Sequence, residues 1–203
     1  DDQEGGLRGV QVELLDAEGT PIQSMTTPRS GEFRFESLMP GAYSLRVTLS
    51  SGYVFTVGGA DSLVPRSDGT DAVLNLGELA MGSAIEGVTI GALEPASVGG
   101  TAWYDADNDG RRQSGDRGVA ASVTLHVLSG ADAGMIYETT ADETGAYCFE
   151  GIMPGSVQLA FELEEGYAFS KQISGSKRVS CVPQTDALMA RTDAFDVSSG
   201  ENL

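Results

Sequence analysis

The chain has 203 residues, and its 30 acidic side chains against 12 basic ones give a formal net charge of −18. That balance excludes nucleic-acid binding, which needs clustered Lys and Arg against phosphates, and an anionic membrane surface would repel the chain. No apolar run approaches the roughly 18 residues of a bilayer span, so direct membrane insertion is not expected. Two cysteines are too few for a disulfide scaffold.

Along the chain, short alternating runs replace helical periodicity. Val10-Gln11-Val12-Glu13-Leu14, Phe33-Arg34-Phe35 and Tyr43-Ser44-Leu45-Arg46-Val47 place apolar residues at every second position, the signature of half-buried strands. Ala17-Glu18-Gly19, Arg29-Ser30-Gly31 and Met39-Pro40-Gly41 separate them with turn chemistry. Residues 85–93 read as a closing strand, and Val98-Gly99-Gly100-Thr101-Ala102-Trp103-Tyr104 as an opening one. The pattern then recurs: Gly31-Glu32-Phe33-Arg34-Phe35 returns as Gly145-Ala146-Tyr147-Cys148-Phe149, and Leu38-Met39-Pro40-Gly41 as Ile152-Met153-Pro154-Gly155. Gly52-Tyr53-Val54-Phe55 returns as Gly166-Tyr167-Ala168-Phe169, Thr70-Asp71-Ala72 as Thr192-Asp193-Ala194, and Glu4-Gly5-Gly6-Leu7 as Asp116-Arg117-Gly118-Val119. Two copies of one domain are expected, over residues 1–96 and 97–203, each large enough for its own core. Copy one lacks its first strand and copy two stops before a counterpart of the closing strand. With neither leader nor sorting tail in view, the chain reads as a piece of a longer mature protein. The fold expected is all-β: two tandem Greek-key, prealbumin- or Ig-like β-sandwich domains. The short join at Glu94-Pro95-Ala96-Ser97 implies a restricted hinge.

Between the first strands of copy two lies a twelve-residue loop, residues 105–116. Asp105, Asp107, Asp109 and Asp116 occupy its first, third, fifth and twelfth places, with Gly110 at the sixth. Alternating carboxylates on a tight turn can converge on a hard cation that takes six to eight oxygens, which is the ligand spacing of a calcium loop. Arg111 would add its backbone carbonyl, and Gln113 its side chain, directly or through water. The blander reading is a solvated turn, because Asp, Asn and Gly are also the favoured turn residues. Residues 119–125 are strand-like, which argues against a helix-flanked calcium sensor. Asp1, Asp2 and Glu4 form a remnant of the loop in copy one that is not expected to bind. Asp61, Asp68 and Asp71, with Asp186 and Asp193 at matching places, offer either a further cation site or, as turn preferences favour, caps on strand ends.

Cys148 alternates with Tyr147 and Phe149, so it faces away from the core those rings fill. A disulfide to Cys181 is one reading and two free thiols the other. His126, the sole histidine, alternates with Leu125 and Val127 and reads as a surface strand residue. Trp103 reads as a core anchor of the opening strand, and Tyr53 and Tyr167 as packing residues. No arrangement of nucleophile, base and orienting group is recognisable, so no enzymatic activity is expected.

Ala102-Trp103-Tyr104-Asp105-Ala106-Asp107-Asn108-Asp109-Gly110, Thr144-Gly145-Ala146-Tyr147-Cys148-Phe149, Ile152-Met153-Pro154-Gly155 and Glu165-Gly166-Tyr167 together resemble the SdrD-type B repeats of bacterial surface adhesins, relatives of the Cna-B, prealbumin-like domains. The resemblance covers nearly the whole chain. It implies a seven-stranded Greek-key sandwich, calcium in the loop after the first strand, and a stalk or spacer role in a wall-anchored protein on the bacterial cell surface. Its partners would be neighbouring repeats of the same protein. Many Cna-B relatives carry a Lys–Asn isopeptide bond; here the only lysines are Lys171 and Lys177, neither in an early strand, so none is expected. The rival readings are a ligand-binding adhesin region that recognises a host protein or glycan, and an accessory module of an extracellular enzyme.

Overall fold

Alternation builds the first half of the molecule. In β1 (Gln11–Leu15), Val12 and Leu14 are buried while Gln11 is exposed and Glu13 half-buried, as a pleat with one face on a core requires. The computed structural model describes residues 5–56, 71–107, 111–169 and 189–203, with 64–65 and 181–183 placed as strand backbone. Two units divide the chain, Asp1–Glu94 and Pro95–Leu203.

In the first unit, β1 is followed by β2 (Pro21–Thr26), β3 (Gly41–Thr48), β4 (Val54–Phe55), β5 (Val64–Pro65), β6 (Asp71–Leu79) and β7 (Ala92–Leu93). The main sheet runs β2-β1-β3-β6-β5, and β4 pairs β7 in a second sheet. The β1–β2 turn is closed by Asp16, whose Oδ1 accepts the N–H groups of Glu18 and Thr20 at 3.1 and 2.8 Å. β3 returns past β2 to lie antiparallel beside β1, a Greek-key connection. Val12 faces Val47 and Leu14 faces Leu45 in that pairing, and all four are at most 1% exposed.

The second unit repeats this plan with β8 (Ala96–Thr101), β9 (Ala121–Val127), β10 (Ile136–Thr140), β11 (Ala146–Ile152), β12 (Gly155–Leu163), β13 (Cys181–Pro183), β14 (Met189–Thr192) and β15 (Phe195–Val197). Its main sheet is β10-β9-β12-β14-β13, with β15 also on β12. Its second sheet pairs β8 with β11 antiparallel. Val98, Val123, Leu125, Phe149, Ile152, Val157 and Leu159 close the core between the two. The molecule is therefore all-β, as two tandem sandwiches. Among the described residues no helix is long and apolar enough to cross a membrane.

Four expectations change. The division falls at Glu94, two residues before the expected end of copy one, because Ala96 is 2% exposed and pairs with Ile152 in the second unit. The match of Thr70-Asp71-Ala72 to Thr192-Asp193-Ala194 is out of register. Val47 faces Ala72 in β6, and its counterpart Phe161 faces Ala190 in β14. Ala72 and Ala190, both 0% exposed, are thus the equivalent pair, and Asp71 corresponds to Met189 rather than Asp193. Burial on the inner face sets register, and a shared short motif does not. Lastly, Phe33-Arg34-Phe35 alternates as a strand should, with both rings half-buried and Arg34 exposed, yet residues 32–38 form no strand. Among the described residues the first unit has no counterpart of β8 for them to pair with. The closing strand expected over 85–93 shortens to β7.

Candidate metal loop

The loop that follows β8 is gripped at its base. Trp103 and Gly118 form an antiparallel bridge, the Tyr104 N–H donates to the Arg117 carbonyl at 2.8 Å, and the Val119 N–H donates to the Ala102 carbonyl at 3.1 Å. The Ala102 N–H in turn donates to the Gly145 carbonyl at 2.8 Å. Gly145, at φ 79°, crosses Gly118 so closely that a Cβ on it would lie 3.0 Å from the Gly118 Cα and overlap the Ala102 carbonyl oxygen. Only glycine meets both demands, positive φ and backbone-to-backbone approach.

Within the loop, Gln113 is the centre. Its backbone N–H donates to Asp116 Oδ2 at 2.6 Å, and its side-chain amide donates to Asp107 Oδ2 at 3.0 Å. The Asp116 N–H donates back to the Gln113 carbonyl at 3.1 Å. The third, ninth and twelfth loop places are therefore drawn together. Each ionised carboxylate has about four lone-pair sites, so accepting a hydrogen bond does not by itself exclude a cation. Asp105 stands half-buried at the loop entrance, and Asp107 and Arg111 are exposed. Asp109, with Asn108 and Gly110, lies outside the described residues. Among the described residues no three Asp, Glu, His or Cys side chains converge closely enough to hold an ion, so Asp105 does not join Asp107 and Asp116 as a compact trio. The donor chemistry still fits a hard cation: carboxylate, amide and backbone oxygens, with no sulfur or imidazole.

A cluster that sequence reasoning missed flanks the loop. The Arg117 guanidinium carbon lies 5.2 Å from the Tyr104 ring centre, and its Nη2 donates to the Tyr167 hydroxyl at 3.4 Å. The two tyrosine rings meet edge-on at 6.3 Å. Such cation–π geometry on partly exposed groups adds about 0.5–1 kcal/mol. The signal was present in the sequence, since Tyr104 immediately precedes the loop and Arg117 immediately follows it. Trp103, expected as a core anchor, is half-buried at the bridge, with its indole Nε1 buried and without a hydrogen-bond partner.

His126 is half-buried on β9, in register with Ile136 and Gln158, as a strand residue outside the core. The Cys148 thiol is free and exposed, so the bond to Cys181 is not formed in this structure. Cys148 lies on β11 and Cys181 on β13, in different sheets, and the Cys181 side chain lies outside the described residues. So do Asp1, Asp2, Glu4, Asp61, Asp68 and Asp186. Asp71 Oδ1 is buried without a hydrogen-bond partner in β6, and Asp193 is exposed.

The sequence profile of the SdrD B-like domain matches residues 1–90 and again residues 96–202. Serine-aspartate repeat-containing protein F of Staphylococcus epidermidis is 32% identical over 184 residues, covering 87% of this chain and 11% of that protein. Serine-aspartate repeat-containing protein C of Staphylococcus aureus is similar at 29% identity over 174 residues in strain N315, and at 30% over 172 residues in strain Newman. Each of those alignments covers 82% of this chain and 17% of the relative. The chain thus spans less than a fifth of the length of these relatives.

Proposed function

This chain belongs to the SdrD B-like domain family, and on that premise we propose that its units are calcium-stabilised stalk or spacer modules of an exported bacterial surface adhesin, with a mechanical role and no catalysis. The observation that carries the calcium reading is Gln113 holding Asp107 and Asp116 within one loop. In a chain of net charge −18, gathering carboxylates costs Coulomb energy that a bound dication offsets. Asp105, Asp107, Asp109 and Asp116 would hold the ion, with the Gln113 side chain and the Arg111 carbonyl. Without it, the loop relies on hydrogen bonds between exposed groups, each worth about 1 kcal/mol.

Trp103 is the only tryptophan and sits at the loop base, so its fluorescence follows the second unit. Calcium titration by calorimetry should give one saturable heat, and melting followed by Trp103 should shift upward by several degrees relative to chelator. D107N/D116N should abolish both effects. An unchanged melting temperature with no heat of binding would sink the calcium reading and leave a plain structural repeat.

A further inference from the structure

Arg117 stands in an acidic neighbourhood. Asp116 precedes it, Asp105 follows Tyr104, and Glu164 and Glu165 precede Tyr167. The backbone gathers these neighbours: the Tyr104 N–H donates to the Arg117 carbonyl at 2.8 Å, and the Tyr167 N–H to the Glu164 carbonyl at 3.3 Å. Yet Arg117 enters no ion pair among the described residues, whereas Arg34 meets Glu36 at 2.7 Å and Arg46 meets Glu13 at 3.1 Å. Its guanidinium lies instead over the Tyr104 ring, 5.2 Å from the centroid, and donates through Nη2 to the Tyr167 hydroxyl at 3.4 Å. The two rings stand 78° apart at 6.3 Å, edge to face. The first unit has Gly5 at the position of Arg117, and the matching Tyr53 hydroxyl is hydrogen-bonded to Glu94.

An arginine beside this loop has two favourable arrangements. It can extend and pair with the carboxylates as an internal counter-ion, or lay its weakly hydrated face on an aromatic ring. The first would take acceptor sites and place a positive charge where a hard cation must enter. In the second, the guanidinium uses its face on Tyr104 and one N–H on Tyr167, and Asp116 Oδ2 stays on the Gln113 N–H at 2.6 Å. We propose that Tyr104 and Tyr167 set the cation affinity of the loop by holding the Arg117 guanidinium off its carboxylates, Asp105, Asp107 and Asp116, so that an internal competitor is kept away. The proposal rests on the calcium reading above. Neither tyrosine is a ligand. Both act through Arg117, so their effect lasts only while residue 117 carries a charge.

The test is a double-mutant cycle on the full chain, read by calorimetry with calcium chloride. Tyr104 is 44% exposed, so Tyr104→Leu opens no core, and Trp103 fluorescence checks that each variant is folded. Tyr104→Leu should bind calcium about three- to fivefold more weakly, the scale of one exposed ion pair. Tyr167→Phe, which keeps the ring and loses the hydroxyl, should show a smaller loss in the same direction. Arg117→Gln should bind at least as tightly as the parent chain, and in that background Tyr104→Leu should have no effect. An equal Tyr104→Leu loss in both backgrounds would overturn the proposal, because the ring would then be a plain support of the loop. Unchanged affinity in Tyr104→Leu would overturn it too. Proton NMR in chelator reads the stack without calcium: the Arg117 side-chain protons should carry an upfield ring-current shift that Tyr104→Leu abolishes, and its absence would equally refute the proposal. No heat of calcium binding in the parent chain, with that shift present, would remove the calcium reading itself and this role of the tyrosines with it.

Discussion

Residues 32–38 and β11 occupy equivalent positions in the two units, yet one is strand and the other is not. Both alternate, both carry two aromatic rings and a branched aliphatic facing the core, and both are preceded by a glycine at positive φ, Gly31 at 74° and Gly145 at 79°. What differs is the neighbour. With β8 beside it, β11 forms a ladder and Ile152 reaches 0% exposure. Without such a strand, Leu38 stays half-buried. Pattern selects which face of a segment turns inward, but a partner's backbone is needed to make that segment a strand.

Four substitutions test that comparison, the largest effect first. Gly145→Ala combines a strained positive φ with overlap on the Ala102 carbonyl and should cost about 4 kcal/mol. Gly31→Ala, also at positive φ, would put its Cβ 2.7 Å from the Gly6 Cα and 2.9 Å from the Leu7 nitrogen, a smaller overlap than that of Gly145 with the Ala102 carbonyl oxygen, and should cost less. Urea unfolding followed by Trp103 for the second unit, and by hydrogen exchange for the first, separates the two. Equal losses would show that the glycine crossing is independent of β8 and the loop after it. Next, Ile152→Ala should cost about 3 kcal/mol and Leu38→Ala about 1, because a half-buried side chain has less to lose and leaves no sealed cavity. A Leu38→Ala loss as large as that of Ile152→Ala would show that half-burial of Leu38 does not measure its contribution to the first core.

Ser37 is the one described non-glycine residue at positive φ, 60°, and Gly151 at 73° is its counterpart in the β11 bulge. Ser37→Gly relieves about 1–2 kcal/mol of left-handed strain and gives back about half as entropy, so the first unit should gain about 0.5 kcal/mol. A loss would show that the Ser37 side chain contributes to the fold. The smallest effect concerns acid. Asp142 accepts from the Thr144 hydroxyl and from the Thr144 and Ala146 N–H groups at 2.7–3.0 Å. These bonds, the Thr144 hydroxyl foremost, hold its carboxyl below the usual range. A carboxylate with a lowered folded pKa contributes stability that is complete above its unfolded pKa, about 4, and lost as pH falls through the folded value. Pro28 occupies the equivalent turn position in the first unit, with no carboxylate to protonate. Asp142→Asn should therefore flatten the acid limb of the second unit's stability profile below about pH 4 and leave that of the first unchanged.

Much of this was legible in the sequence because period-two burial and glycine turns leave direct traces. β1, β3 and the strand before the loop stand where alternation puts them, and in the repeat from Gly31 to Gly41 alternation marks the inward face correctly although residues 32–38 form no strand. The misplaced Thr192-Asp193-Ala194 match shows the limit. Three identical residue types carry less information than the inward position of Ala190, which becomes visible only once β12 is its neighbour. The loop shows another limit. Spacing named Asp107, Gln113 and Asp116, but not that Gln113 would tie the other two together, nor that Tyr104 and Arg117 would stack outside them. Those are consequences of tertiary closure at Trp103 and Gly118.

The parallel run of residues 201–203 along β8 sets how load passes through the second unit. Tension applied through Pro95 and Leu203 would pull two neighbouring strands in opposite senses along their own axes. The hydrogen bonds at Ser97 and Gly99 would then be strained together, in shear, instead of opening one after another like a zipper. Under such a load those bonds would resist as a group, so the contact of residues 97–99 with residues 201–203 would bear the pull directly.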